Sequence, residues 1–234
     1  MAKYIVASTK EWNKEQFLAF SKKVAGEWRF VGTREELDRA LLEAKPRFLF
    51  FLHWNWRVPD AIVLEHESIC FHMTDVPFGR GGSPLQNLIA KGFVETKVSA
   101  LRMVEEFDAG PVYTKRTVSL AGRAEEIYLR VGEVCFDLIA EIIKEEREPI
   151  PQEGNVITFT RRCPLDSVLP KKGDLSSLYD HIRMLDAPSY PRAFLQFGEF
   201  TLEFHHASLQ GDTLEASVCI RKHEPEHERD DQDQ

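Results

Sequence analysis

The sequence predicts an α/β fold, a mostly parallel sheet with crossover helices over residues 1–150, followed by a small α+β subdomain over 151–222. Three observations carry that prediction. Short apolar runs alternate with segments of helical spacing as far as Glu146, the pattern of strands joined by crossover helices. One run, Arg47–His53, is apolar almost without interruption, as in a strand covered on both faces of a parallel sheet. After Pro149-Ile150-Pro151, which reads as a boundary, the pattern changes to alternating strands joined by glycine turns.

In order along the chain, Lys3–Ser8 is a short strand, and Thr9–Val24 sets Trp12, Phe17, Phe20 and Val24 at helical spacing. Trp28–Val31 reads as a second strand. Thr33 and Glu36 form a capping-box pattern ahead of Leu37, Leu41 and Leu42, which marks a helix start. Pro59–Glu65 is a brief helix, Ser68–His72 a buried strand, and Pro84–Lys91 a helix with proline in its first turn. Thr96–Val104 and Val112–Val118 are strands, and Ala124–Glu146 is a long helix, apolar at Ile127, Val131, Val134, Leu138 and Ile142. Beyond the boundary come a strand at Val156–Thr160, a helix at Leu175–Leu185, and strands at Ala193–Phe197, Phe200–His206 and Leu214–Ile220.

Composition narrows the function. The chain has 234 residues and a net charge of −8, but residues 223–234 hold six acids and one arginine and so carry −5 of it. That segment reads as a solvated, disordered tail. The remaining 222 residues carry only −3, too little positive charge for broad contact with a phosphate backbone, so nucleic acid is not expected as a partner. No apolar run approaches a membrane span, and the N-terminus reads directly into a strand without signal-peptide features. Cys70, Cys135, Cys163 and Cys219 form no CxxC pair, so zinc and redox motifs are not expected; a reduced, cytoplasmic location is. His205 and His206 alternate along a strand, which predicts rings on opposite faces and no metal site.

The chemistry concentrates in Cys70-Phe71-His72-Met73-Thr74-Asp75-Val76-Pro77-Phe78-Gly79-Arg80-Gly81-Gly82-Ser83-Pro84 and in Asp108, 36 residues after His72. A histidine that closes an apolar strand stands at the carboxyl edge of the sheet, where ligands of open α/β folds collect. A carboxylate from a neighbouring Asp-Ala-Gly turn would complete an acid–base pair. In the loop, Gly79, Gly81 and Gly82 would let backbone approach a ligand while Arg80 meets an anion. No GxGxxG or GxxxxGK[ST] occurs, so the dinucleotide and P-loop fingerprints are absent. After the strongest strand, His53-Trp54-Asn55-Trp56-Arg57 exposes two indoles, suited to a flat aromatic ligand.

Together these residues resemble the folate-dependent formyltransferase family, which includes methionyl-tRNA, glycinamide ribonucleotide and sugar N-formyltransferases. The stretch from His72 through Gly110 is similar to the aminoarabinose formyltransferase pattern without gaps, and Tyr190-Pro191-Arg192-Ala193-Phe194 echoes a segment that follows the catalytic domain in the tRNA and aminoarabinose enzymes. The resemblance implies a Rossmann-like formyltransferase domain with a shortened N-terminal part, and 10-formyltetrahydrofolate as donor of a formyl group to a primary amine. His72 would take the family's histidine role and Asp108 would orient it. Trp54, Asn55, Trp56, Arg57 and Val58, with Glu105, Phe107 and Asp108, would line the pterin slot. Cys70 stands where the family has an asparagine, so the oxyanion would need another amide, such as Asn55 or Gln86.

For the acceptor, a slightly acidic body and a small appendage point away from charged tRNA and toward a nucleotide-linked amino sugar, with Arg80, Gly81, Gly82, Ser83, Arg183 and Tyr190 as candidate contacts. Two alternatives stay open: a hydrolase that passes the formyl group to water, and a non-catalytic folate- or sugar-nucleotide-binding relative, which the Cys70 departure suggests. The long helix and the edge strands of the appendage each offer a surface for a homodimer.

Overall fold

The apolar runs become the inner strands of a six-stranded sheet. The computed structural model describes residues 1–146, 148–188 and 190–222. The acidic segment 223–234, expected as a disordered tail, lies outside the described residues. One unit spans Met1–Arg162 and a second begins at Cys163.

The first unit contains β1 (Lys3–Ala7), α1 (Glu11–Phe20), β2 (Glu27–Val31), α2 (Arg34–Glu43), β3 (Phe48–Phe51), α3 (Asp60–Glu65), β4 (Ser68–His72), β5 (Phe78–Gly81), α4 (Pro84–Ala90), β6 (Glu95–Arg102), β7 (Val112–Ser119), α5 (Ala124–Glu145) and β8 (Ile157–Phe159). Sheet order is β2-β1-β3-β4-β6-β7. The pairs among β2, β1, β3 and β4 are parallel, whereas β4–β6 and β6–β7 are antiparallel. Parallel strands need covering on both faces, and β3 meets that demand with Leu49, Phe50 and Phe51 all buried. Ile5, Ala7, Leu49, Phe51 and Val58 join Val31, Leu37 and Ala40 in one cluster, with Trp54 and Cys70 packed against it.

Helix starts follow the expected chemistry. The Thr33 hydroxyl accepts from the Glu36 N–H at 3.2 Å, and Glu36 Oε2 accepts in turn from the Gly32 N–H at 2.6 Å. The carboxylate thus reaches one residue further back than a standard capping box requires. Because β1 lies between β2 and β3, the chain changes direction across the sheet there, and the crevice at the carboxyl ends of β1 and β3 is the usual ligand position in such sheets.

Two expectations need correction. The Pro/Gly loop after His72 contains β5, which pairs in parallel with β8, Gly81 opposite Phe159. Ile150 also pairs with Val112. The segment after Pro149-Ile150-Pro151 is therefore tied into the first unit, and the boundary falls at Arg162 rather than at 150.

In the second unit a 3₁₀ turn (Pro164–Ser167) and α6 (Leu175–Arg183) precede an antiparallel sheet of β9 (Ala193–Phe197), β10 (Phe200–Gln210) and β11 (Thr213–Lys222) in the order β11-β10-β9. The Asp174 carboxylate caps α6 by accepting from the Ser177 N–H at 2.7 Å. The expectation for His205 and His206 fails: their Nδ1 atoms lie 2.5 Å apart. His206 has a left-handed φ of 52°, and the register slips between His205 and Ser208, so a bulge breaks the alternation. Among the described residues, no group of three or more His, Cys, Asp or Glu side chains is placed to hold a metal. Nor is any helix among them long and apolar enough to cross a membrane.

Candidate active site

His72 ends β4 with 8% of its surface exposed. Its Nε2 lies 2.8 Å from the Gly79 carbonyl, and its Nδ1 lies 3.4 Å from Asp108 Oδ1. Both ring nitrogens therefore face acceptors. A neutral imidazole carries one N–H, so it satisfies only one of these contacts, and a protonated ring satisfies both. Thr74 Oγ1 also donates to the Gly79 carbonyl, at 3.2 Å.

Asp108 adopts a left-handed φ of 55°, a conformation that a non-glycine residue holds only when its surroundings enforce it. Three contacts do so. Its Oδ2 accepts from the Gly81 N–H at 2.9 Å, its Oδ1 faces His72, and its carbonyl accepts from Gln152 Nε2 at 2.8 Å. Gly110 closes the turn against β6, since a Cβ there would stand 1.8 Å from the Arg102 carbonyl oxygen.

Cys70 lies two residues before His72 and so projects from the same face of the sheet. Burial, and then the neighbouring Asp108 carboxylate, push its thiol well above the usual range. It remains a neutral thiol, a weak donor and a poor nucleophile. Gln86 is fully buried in α4 and donates to the Tyr128 hydroxyl at 3.1 Å, so it does not take over the amide role. Asn55 is exposed.

The loop after β3 separates into packing and surface residues. Val58 is buried in the β3 cluster, and Trp54 packs edge-on against Phe51 and Trp56. Contrary to expectation, only one of the two indoles stands out from the surface: Trp56, at 37% exposed. Arg57 pairs with Asp60 at 3.0 Å and lies 5.4 Å over the ring of Phe107, which is 63% exposed. Glu105 is exposed beside it. The loop after β3 and the loop carrying Asp108 thus meet through a cation–π contact.

The glycines of the loop have a packing purpose that the sequence does not show. A Cβ on Gly79 would lie 2.7 Å from Thr74 Cγ2, one on Gly81 2.4 Å from the Phe159 carbonyl oxygen, and one on Gly82 2.5 Å from Arg161 Cβ. The space that these glycines clear is taken by Thr74 and the β8 segment. Arg80 is likewise committed: its Nε and Nη2 donate to Gln152 Oε1 at 3.1 and 2.8 Å, and its Nη1 reaches Glu106 at 3.3 Å. Ser83 Oγ accepts from the Arg162 N–H at 3.1 Å. Arg183 and Tyr190 belong to the second unit, where Arg183 is buried and bonded to Asp180 at 2.6 Å.

Sequence reasoning did not find Gln152 or the structural part played by Gly81, and it left His53 without a role. His53 holds a left-handed φ of 46° just after β3. Its Nδ1 lies 3.0 Å from Asn13 Oδ1, and desolvation, then the charge of Lys10, lower its pKa to about 4.

Comparison with known proteins bears on this geometry. A family model described as "Methionyl-tRNA formyltransferase, C-terminal domain" matches residues 164–221. The chain is 39% identical to a solved methionyl-tRNA formyltransferase from Clostridium thermocellum, with a TM-score of 0.92, over 95% of this chain and 100% of that one. It is 27% identical over 157 residues to methionyl-tRNA formyltransferase of Mesoplasma florum, 64% of this chain and 50% of that protein. The chain spans about half the length of the curated relatives it matches. At 16% identity, the likeness to HypX from Aquifex aeolicus in complex with tetrahydrofolic acid (TM-score 0.72, 87% of this chain and 37% of that one) is one of fold. The same holds for a 4-N formyltransferase from Francisella tularensis at 16% identity (TM-score 0.65, 82% and 91%).

Proposed function

The chain belongs to the folate-dependent formyltransferase family, which includes the methionyl-tRNA formyltransferases, and on that premise we propose that it transfers a formyl group from 10-formyltetrahydrofolate to a primary amine. The observation that carries this reading is the His72–Asp108 pair at the carboxyl edge of β4, 3.4 Å apart and largely sheltered from water.

The residues at that edge suit a reduced folate. Trp56 and Phe107 are exposed aromatic residues, each with an arginine over its ring (Arg34 and Arg57), Asn55 offers an exposed amide, and Arg57 brings a positive charge between the two loops. Bound there, the folate would supply an activated formyl carbon. His72 Nε2 would then be the N–H donor available to the formyl oxygen, giving up its contact with the Gly79 carbonyl. Donors placed in this way are worth about 3–4 kcal/mol each. Asp108 fixes the ring orientation through its contact with Nδ1. The proton that the amine loses would pass to the Asp108 carboxylate, because a ring nitrogen that is donating its N–H has no lone pair to accept it. Cys70, held as a neutral thiol, adds little to this charge stabilisation.

For the acceptor we assign a nucleotide-linked amino sugar, because residues 1–222 carry a net charge of −3, which does not favour broad contact with RNA. A second reading, the aminoacyl group of a charged tRNA, is favoured by the 39% identity to the Clostridium thermocellum protein. The test is to incubate the protein with 10-formyltetrahydrofolate and, in turn, a panel of nucleotide-linked amino sugars and charged initiator tRNA. Folate-dependent formylation of one amine class is the expected result, falling about 10²- to 10⁴-fold in His72→Ala and Asp108→Asn. Release of formate without any amine would identify a hydrolase instead. Folate binding with no turnover on any amine would identify a binding protein.

A further inference from the structure

We propose that Gln152 is a positioning residue for the His72–Asp108 pair, an inference that rests on the reading of that pair as catalytic. Its side-chain amide uses both of its donors and both acceptor positions on two segments. Nε2 donates to the carbonyls of Asp108 and Gly110, each at 2.8 Å. Oε1 accepts from Arg80 Nε at 3.1 Å and Arg80 Nη2 at 2.8 Å. A primary amide offers two N–H donors and one carbonyl with two lone pairs, and here every one of them is engaged.

The two segments are the ones that grip the pair. Arg80 lies in β5 between Gly79, whose carbonyl faces His72 Nε2, and Gly81, whose N–H holds Asp108 Oδ2. On the other side, Gln152 holds the backbone carbonyl of Asp108 itself, in the left-handed conformation that aims the carboxylate at His72. That conformation is one aspartate visits more readily than most residues, and here its contacts hold it in place. Without Gln152, the Asp108 turn loses two of its anchors and Arg80 loses its neutral partner while keeping Glu106. The strand and the turn then stay joined through the Gly81 N–H to Asp108 Oδ2 bond and the Arg80–Glu106 pair alone, and the 3.4 Å contact between Asp108 Oδ1 and His72 Nδ1 is held less tightly.

Two substitutions separate positioning from bulk stability. Gln152→Ala deletes the amide. Gln152→Glu keeps its shape but turns a donor into an oxygen facing two carbonyls. In both variants kcat is expected to fall about tenfold to a hundredfold, the scale of small misplacements at a reacting centre. The second readout is the NMR spectrum of the His72 ring at fixed pH, which reports the surroundings of Nδ1 and Nε2 and needs no turnover. Those ring signals should move in Gln152→Ala and Gln152→Glu, as they do in Asp108→Asn, while thermal unfolding confirms that both variants fold. His72 ring signals that move in Asp108→Asn but stay at the wild-type positions in both Gln152 variants overturn the proposal. Wild-type kcat in both variants does so as well. Failure of the wild-type protein to transfer formyl groups would refute the proposed function while leaving the NMR test of Gln152 intact.

Discussion

Replacing Gly81 with alanine tests whether the glycine loop exists to let β8 close on β5. Gly81 has a φ of +101°, and a Cβ there would stand 2.4 Å from the Phe159 carbonyl oxygen, a backbone atom that cannot swing aside. Gly92 is the matched control in the same unit: its φ is +79°, but a Cβ there would meet nothing within 4 Å. Both alanines carry conformational strain of about 1–2 kcal/mol, partly offset by a less flexible unfolded chain. Only Gly81→Ala must also push a strand away, which adds about 1–3 kcal/mol on the scale of overpacked cores. At about 2–4 °C per kcal/mol for a unit of this size, Gly92→Ala should lower Tm by about 3 °C and Gly81→Ala by about 10 °C. All four tryptophans, Trp12, Trp28, Trp54 and Trp56, lie in the first unit, so their fluorescence follows its unfolding. Equal Tm values for the two variants would show that β8 does not seat against Gly81, and would return the glycines to a ligand-facing role.

Two further outcomes follow from ionisation. His53 is depressed to about 4 in the folded chain against an ordinary value near 6.5, so below pH 6.5 the unfolded state binds more protons and stability falls as pH drops toward 4. The loss between pH 7 and pH 5 is about 2 kcal/mol at most, and about 1–2 kcal/mol once the ring's residual solvent contact is allowed for. Urea unfolding at the two pH values should show that part of the slope vanish in His53→Gln; an unchanged slope would mean that His53 is not desolvated as placed. Cys163 is exposed, whereas burial raises the thiols of Cys70 and Cys135. Alkylation of the folded protein at neutral pH, read by peptide mass spectrometry, should therefore mark Cys163 well ahead of Cys70 and Cys135, and rapid labelling of Cys70 would contradict its neutral, sheltered state.

What the sequence disclosed was whatever a short window can encode. His72 was legible because it closes an apolar run, and Asp108 because Asp-Ala-Gly is a turn whose spacing from His72 matches a familiar pattern. The central strands were legible because burial on both faces leaves a continuous apolar stretch. The glycines of the loop were visible, but their partner was not. β8 is only three residues long and lies beyond Pro149-Ile150-Pro151, which reads locally as the end of a domain. Gln152 was invisible for the same reason, since a single amide has no periodicity and gains meaning only when β8 pairs with β5. His206 failed in the opposite way: the alternation was there to be read, and one left-handed residue overrode it.

These misses share a cause that bears on the site. Strands β3 and β4 lie side by side in the sheet through patterns written within each strand. The gap between Asp108 and His72, by contrast, is set by a pairing between distant segments whose specificity lies in the absence of side chains at Gly79, Gly81 and Gly82. A missing Cβ leaves no hydrophobic pattern, so the sequence marks His72 and Asp108 but not what spaces them. The residues around Cys70 illustrate the consequence. Under the proposed chemistry a neutral thiol adds little charge stabilisation, so the burden falls on how firmly Asp108 holds His72, and that hold runs through the Gly81 N–H, Arg80 and Gln152, the last of which lies outside the motif that the sequence marks as chemical.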